Sequence, residues 1–138
     1  MIQEDKELLL KDLCSRLPYN VRVEYNGTTL TNIFDVLGIA HGRIMLCLPF
    51  MSKTECPLIE EVKPYLFPLS SMTEEQKYNN PIGLVQMSII LANRDWEKIT
   101  IKHTELCKLI DWFNKKHFDW RGLIPKGLAI DATGLSIY

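Results

Sequence analysis

The segment HFDWRGLIPKGL, which begins at His117, combines the side chains of this sequence that are best suited to chemistry. Imidazole and carboxylate groups transfer protons near neutral pH, so His117 with Asp119 could form the centre of a small hydrolase or nuclease. The segment could instead be structural, with Asp119 holding a helix end through Arg121 or through the backbone. Phe118 and Leu123 would then enter the core. The residue types leave both interpretations open.

Other catalytic signatures are absent from the sequence. There is no GxSxG nucleophile motif, no phosphate-binding glycine loop and no GxGxxG motif. The two remaining histidines occupy ordinary structural positions, because His41 lies in a predicted turn and His103 at a predicted helix start. We therefore predict no catalytic residue and favour a non-enzymatic protein.

The four cysteines are spaced too widely for a common zinc motif. Tetrahedral zinc sites use closely spaced ligands such as a CxxC pair, whereas the closest cysteines here are Cys47 and Cys56. Cys14, Cys47 and Cys107 each lie within an apolar run, which predicts small buried side chains in a reducing compartment. The sequence predicts no metal site and no cofactor.

Basic and aromatic side chains interleave over residues 112–126. This composition suits a groove that stacks single-stranded bases, and it also fits a core stripe flanked by solvated lysines. With 16 Lys and Arg against 17 Asp and Glu, the net charge of −1 gives no general basic field for nucleic acid. Tryptophan and arginine are also enriched at protein-binding hot spots. The predicted interaction surface comprises Trp112, Lys115, Lys116, His117, Asp119, Trp120 and Arg121.

Length and composition predict one globular domain over residues 1–138. The hydrophobic fraction is 46% and the charged fraction 24%, and a chain of this size buries roughly two-thirds of its unfolded surface. The N-terminal sequence MIQEDKELLL lacks the basic and apolar regions of a signal peptide. No apolar run approaches the roughly 20 residues of a membrane-spanning helix. We therefore predict a cytoplasmic protein without membrane association.

Residues 4–17 predict an amphipathic helix that Pro18 terminates. Its apolar side chains recur at helical spacing, whereas Glu4, Lys11 and Asp12 are expected to face water. The predicted core-facing positions are Leu10, Leu13, Cys14 and Leu17.

Three strands follow in a predicted meander. Apolar and polar side chains alternate in VRVEYNGTTL, and Asn26-Gly27 is typical of a type I′ hairpin turn. A two-residue turn there would pair Val23 with Leu30. The chain is expected to turn again at AHGR before a buried strand over residues 44–48. The segment LIEEV could add a further short strand.

The second half of the chain predicts two helices separated by an ambiguous segment. Two overlapping capping boxes, Ser71 with Glu74 and Thr73 with Gln76, predict that a short helix begins near residue 72 or 74. Residues 82–91 fit either a buried strand or a helix, and we favour a hairpin that turns at residues 93–95. The spacing of large apolar side chains predicts a helix over residues 104–116.

Together these elements predict an α+β fold. About four to six strands would form an antiparallel sheet or a small, partly closed barrel. The N-terminal helix and the C-terminal helix would cover it. A meander with a returning strand fits both geometries, so the sequence leaves open the choice between sheet and barrel.

Three blocks of the sequence resemble a group of known proteins: KELLLKDLCSRLPYNV, EVKPYLFPLSSMTEEQ and DWFNKKHFDWRGLIPKGLAIDATGLSIY. Closely similar blocks recur in an uncharacterised family of small proteins from gut anaerobic bacteria and their phages or prophages. The resemblance covers a little under half of the chain and carries no activity with it. It implies a cytoplasmic accessory protein of mobile DNA.

We therefore expect a non-enzymatic accessory protein that binds a host or phage protein. The alternative is nucleic-acid binding through residues 112–126. A third hypothesis is the hydrolase or nuclease built on His117 with Asp119. The sequence determines neither the identity of the partner nor the oligomeric state.

Overall fold

A computed structural model describes residues 1–27, 32–50, 52–93 and 101–138. Over these ranges the chain forms four α-helices and a six-stranded sheet, which confirms the predicted α+β class. The helices are α1 (Gln3–Arg16), α2 (Glu74–Tyr78), α3 (Leu84–Asn93) and α4 (His103–Lys115). The strands are β1 (Arg22–Tyr25), β2 (Ile33–Ala40), β3 (Arg43–Cys47), β4 (Thr54–Glu55), β5 (Val62–Leu66) and β6 (Ile130–Asp131). Short 3-10 turns cover Leu17–Tyr19, Ile59–Glu61 and Leu69–Ser71.

The sheet is open, so the alternative of a partly closed barrel is wrong. Its strand order is β4-β3-β2-β1-β5-β6, and every neighbouring pair is antiparallel except β5 and β6. The predicted meander is β1-β2-β3, and β5 returns to pair with β1. The edge strands β4 and β6 have two residues each, which leaves little exposed backbone for pairing with another chain.

The predicted register of the first hairpin is wrong. Val23 pairs with Phe34 rather than with Leu30, and the Tyr25 amide donates to the Asn32 carbonyl at 2.9 Å. The connection is therefore longer than two residues, and its residues 28–31 lie outside the described ranges. The sequence pattern Asn-Gly suggested a tight turn, but the core face of β2 sets the register instead.

The turn that connects β2 and β3 has a left-handed backbone, with a φ of 52° at His41 and of 73° at Gly42. Two successive positive φ values joining Ala40 to Arg43 are those of a type I′ hairpin. The turn predicted at AHGR is therefore confirmed. Histidine adopts a positive φ more often than most residues other than glycine. The dipeptide His-Gly is nevertheless not one of the usual sequences of a type I′ turn, such as Asn-Gly.

The predicted core side of α1 is confirmed for its leucines, which are buried or pack against the core, and is wrong for Cys14 and Asp12. The helix buries Leu9 and Leu13 together with Asp12 and Arg16, and each of these four side chains is fully inaccessible. Cys14, which was expected in the core, is exposed. Asp12 was expected to face water, but it is buried as the ion-pair partner of Arg16, which an apolar pattern does not reveal.

The remaining cysteines also differ from the prediction of buried side chains. Cys56 and Cys107 are exposed, and Cys47 is half-buried on β3. The local apolar runs that suggested burial include residues on both sides of their elements, so they did not indicate which side faces the core.

The segment after α2 is a helix, so the hairpin favoured for it is wrong. Gly83 with a φ of 85° precedes α3, and the helix buries Met87 and Ile90 at a spacing of three residues. The predicted turn at residues 94–95 lies outside the described residues. The predicted α2 is confirmed, because the Thr73 hydroxyl accepts from the Gln76 amide at 3.2 Å.

Three apolar clusters hold these elements together. The largest lies between the inner face of the sheet, α1 and residues 123–129, and includes Phe34 and Leu46. A second cluster joins Met72, just before α2, with α3 and α4 around Phe113. The third lies on the outer face of the sheet, where the C-terminal segment covers Tyr65. Within the described ranges, no helix has the length and apolar character needed to cross a membrane.

Candidate functional site

The end of α4 is the structural centre of the predicted interaction surface. His117 adopts a φ of 61° directly after the helix. Its amide donates to the Asn114 carbonyl at 3.2 Å, and the Phe118 amide donates to the Phe113 carbonyl at 2.9 Å. These two bonds form a Schellman motif, which satisfies the last helical carbonyls and reverses the chain. Glycine is the usual residue at the position that His117 occupies.

The reversed chain attaches to the end of β5. The Phe67 amide donates to the His117 carbonyl, the Asp119 amide donates to the Phe67 carbonyl, and both distances are 2.8 Å. Phe118 is almost fully buried and contacts the rings of Phe67 and Phe113 edge-on. The corner between His117 and Asp119 thereby connects the helical cluster to the sheet.

Asp119 stabilises the turn that follows this corner. Its two carboxylate oxygens accept hydrogen bonds from the Leu123 and Ile124 amides, each at 2.8 Å. Asp119 is 7% exposed and Leu123 is fully buried. The predicted contact from Asp119 to the backbone is confirmed, as is the burial of Phe118 and Leu123.

A buried ion pair on α1 supports the same corner. The Arg16 guanidinium binds the Asp12 carboxylate with two hydrogen bonds of 2.7 and 2.9 Å. It also donates to the Phe118 carbonyl at 2.8 Å. Arg121 Nε lies 3.5 Å from the same carboxylate. Because a charge in the protein interior requires a partner, these contacts fix α1 relative to the end of α4.

The His117 ring packs against Tyr138 rather than facing a cleft. The two rings are parallel within 8°, and their centroids are 3.7 Å apart. The Tyr138 hydroxyl donates to the Tyr65 carbonyl at 2.7 Å, and Arg22 donates to the Ile137 carbonyl. The His117 ring is thus part of the contact that holds the C-terminal segment on the sheet.

Burial and nearby cations change the acidity of this ring pair. Desolvation, with the positive charges of Arg16, Arg22 and Lys116, lowers the pKa of His117 from 6.5 to about 4. Desolvation also raises the pKa of Tyr138 to about 12. Both rings are therefore neutral near pH 7.

This geometry does not support a hydrolase built on His117 with Asp119. Both Asp119 oxygens already accept backbone amides. His117 Nδ1 is buried and has no hydrogen-bond partner within the described part of the chain. A general base needs a carboxylate or imidazole within reach of a substrate proton, and here both groups maintain the fold.

No family model, curated protein or solved structure matches this chain.

The predicted interaction surface is divided between two grooves. We name the first the Trp120 groove: it has a volume of about 420 Å³ and lies beside the turn after Asp119. Its walls include Pro68, Leu69, Ile90, Trp120, Arg121 and Ile124. The Arg121 guanidinium lies 4.2 Å from the centroid of the Trp120 ring.

The second groove, which we name the Lys115 groove, has a volume of about 440 Å³ and lies between α2 and the end of α4. Its walls include Thr73, Gln76, Asn79, Trp112, Lys115 and Lys116. Glu75 also lines it. His117 lines neither groove, whereas Asp119 lines the Trp120 groove, and both residues form backbone hydrogen bonds with Phe67.

The sequence interpretation missed Asp12 and Arg16. Their spacing of four residues, with the arginine C-terminal to the aspartate, is the spacing at which side chains on one helix face meet. That signal was present. The same spacing is equally typical of an exposed ion pair, so it did not indicate that Asp12 and Arg16 are buried.

Removing one member of the buried pair should destabilise the protein strongly. We expect Asp12→Leu to lower the free energy of unfolding by about 3–5 kcal/mol, because it leaves the Arg16 charge buried without a carboxylate. The double variant Asp12→Leu/Arg16→Met should lose less, since the fully buried Arg16 charge is gone and only Arg121, whose side chain is 19% exposed, loses its carboxylate partner. Equilibrium unfolding in urea measures both variants.

Glu4→Ala, on the exposed side of the same helix, is the matched control and should change stability by less than about 0.5 kcal/mol. An equally small effect of Asp12→Leu would contradict the structural role of the pair.

The depressed His117 pKa predicts a pH dependence of stability. Between pH 6.5 and about 4 the unfolded state binds a proton at this histidine that the folded state does not. The contribution of neutral His117 to the free energy of unfolding is therefore fully present above pH 6.5, and it is lost as the pH falls toward about 4. Unfolding titrations across this range should show a shallower decrease for His117→Asn, in which asparagine still tolerates the positive φ.

Ser52→Asn changes an exposed side chain that does not titrate and should keep the wild-type slope. If His117→Asn also keeps that slope, the buried histidine is not the group responsible.

Proposed function

We propose that this protein is a non-enzymatic interaction protein that binds a partner protein through the Trp120 groove. The observation that supports the proposal is an apolar groove with a tryptophan and an arginine stacked at its wall. Its volume falls within the roughly 300–1,000 Å³ typical of ligand pockets. Tryptophan and arginine are residue types that contribute most to binding energy at protein interfaces.

The groove is suited to recognition rather than to catalysis. Asp119 and Arg121 are the charged groups among its described lining residues, and Asp119 is occupied by two backbone amides. Arg121 lies beside Asp12 and against the Trp120 ring. The rest of the wall is mainly proline, leucine and isoleucine. We expect the partner to insert a bulky apolar side chain here, because burial of that surface supplies the binding energy.

The wider setting is also part of the proposal. The resemblance to small proteins of gut anaerobic bacteria and their phages or prophages supports a cytoplasmic accessory protein of mobile DNA. A host or phage protein is then the expected partner. The three resembling blocks contain the residues on both sides of the Trp120 groove, including Pro68, Leu69 and Trp120.

Blocking the Trp120 groove should prevent binding of the partner protein. Ser70 is exposed and lines this groove, so Ser70→Trp should fill it without disturbing the core. Tagged protein, incubated with nuclease-treated lysate of a gut anaerobe, should capture a protein whose recovery falls at least about tenfold with Ser70→Trp, a loss of about 1.4 kcal/mol of binding. Quantitative mass spectrometry measures the recovery.

Ser52→Trp is the matched control, because Ser52 is equally exposed and does not line this groove. A photo-crosslinking phenylalanine analogue in place of Ser70, but not of Ser52, should join the same partner covalently. A protein that both variants capture as well as the wild type would contradict binding through the Trp120 groove.

Nucleic-acid binding is a second candidate, supported by the Lys115 groove. Trp112, Lys115 and Lys116 line one cavity, together with the polar side chains of Gln76 and Asn79. Lysines beside an aromatic ring suit a single-stranded phosphate backbone with stacked bases. Glu75 in the same wall opposes an anionic ligand, so we rank this candidate second.

Single-stranded DNA and RNA oligonucleotides test the second candidate by fluorescence anisotropy. If the Lys115 groove binds phosphates, Lys115→Ala/Lys116→Ala should remove two contacts and reduce the slope of log K against log salt by roughly 1.4. The exposed pair Lys11→Ala/Lys63→Ala should leave the slope unchanged. Equal binding by both double variants would contradict this candidate.

A further inference from the structure

The exposed side of α4 carries a histidine and a cysteine on successive turns. His103 begins the helix and Cys107 lies four residues later, and both side chains are exposed. The core-facing side of the helix is formed by Leu109 and Phe113, so neither His103 nor Cys107 is needed for packing. An exposed thiol beside an imidazole is a pair of metal-ligating groups that the fold itself does not require.

The separation of the two donor atoms fits a tetrahedral metal. Cys107 Sγ lies 3.8 Å from His103 Nε2. Zinc bonds of about 2.3 Å to sulfur and about 2.0–2.1 Å to nitrogen, at a tetrahedral angle, place those atoms about 3.6 Å apart. A square-planar metal would require them to be closer, at about 3.1 Å for the same bond lengths. A tetrahedral ion therefore needs only a small side-chain adjustment.

We propose that His103 and Cys107 form a two-residue chelate for a tetrahedral divalent ion such as zinc. The thiol of Cys107 loses its proton to solvent when the sulfur–metal bond forms, and neutral His103 donates through Nε2. This inference is independent of the proposed protein-binding function, because α4 presents these residues away from the lining of the Trp120 groove.

The other coordination positions are open to water. Among the residues that the structure describes, no group of three or more His, Cys, Asp or Glu side chains converges on one point. Asp111, one turn beyond Cys107, instead accepts a hydrogen bond from the Tyr19 hydroxyl. A site with two protein ligands and exchangeable water binds metal more weakly than a closed structural zinc site.

Thiol alkylation with and without zinc tests the chelate in the wild-type protein. Zinc should slow the reaction of Cys107 with iodoacetamide and leave Cys14 and Cys56, which are also exposed, unaffected. Mass spectrometry of each cysteine-containing peptide measures the three rates in one sample. His103→Ala should abolish the protection of Cys107, because one ligand alone does not chelate.

Cobalt(II) supplies a second measurement, since a thiolate–cobalt bond gives a near-ultraviolet charge-transfer band. Cys14→Ser/Cys56→Ser should retain this band with one cobalt per chain. His103→Ala and Cys107→Ser should each weaken cobalt binding by at least the roughly 10- to 100-fold that loss of an outer-sphere partner costs. Equal zinc protection of all three cysteines, or a band that survives His103→Ala unchanged, would overturn the proposal.

Discussion

The buried pair of Asp12 and Arg16 is the constraint on which the rest of the structure depends. A guanidinium in the interior is costly unless it is paired, and Arg16 Nε and Nη2 donate to the carboxylate on their own helix and to the Phe118 carbonyl. Arg16 Nη1 is buried without a hydrogen-bond partner among the described residues. Apolar contacts alone would allow α1 to pack in several orientations, whereas the directional hydrogen bonds of Arg16 restrict the orientation of this helix. The pair therefore determines how α1 meets the end of α4, and Arg121 approaches the same carboxylate from the following turn.

The left-handed conformation of His117 determines how the chain leaves the end of α4. It ends α4 and turns the backbone so that Phe118 pairs with Phe67 beyond β5. Glycine would adopt this conformation without steric cost, but it would provide no ring to pack on Tyr138. The His117 side chain therefore has two effects. It makes the positive φ less favourable than glycine would, and its ring holds the C-terminal segment against the sheet.

Local signals in the sequence predicted the elements that depend on local interactions. The capping box at Thr73, the apolar stripe of α4 and the fold class are confirmed, because each is decided by neighbouring residues or by overall patterning. The burial of Asp12 and Arg16 in α1 and the register of β1 with β2 could not be predicted in the same way. Both depend on contacts with distant parts of the chain, such as the bond from Arg16 to Phe118.

The same distinction explains why the candidate surface was only partly predictable. In sequence, the side chains from Trp112 to Arg121 form one basic and aromatic segment. In the structure, the reversal at His117 places Trp112 and Lys115 in one groove and Trp120 and Arg121 in another. A ligand that bridged both grooves would have to cross the corner that Asp119 and Phe118 hold in place. The two grooves are therefore distinct surfaces, but they share a support, because Trp112 and Trp120 pack in the same apolar cluster and Trp120 Nε1 donates to Asn114 Oδ1 of α4 at 3.0 Å.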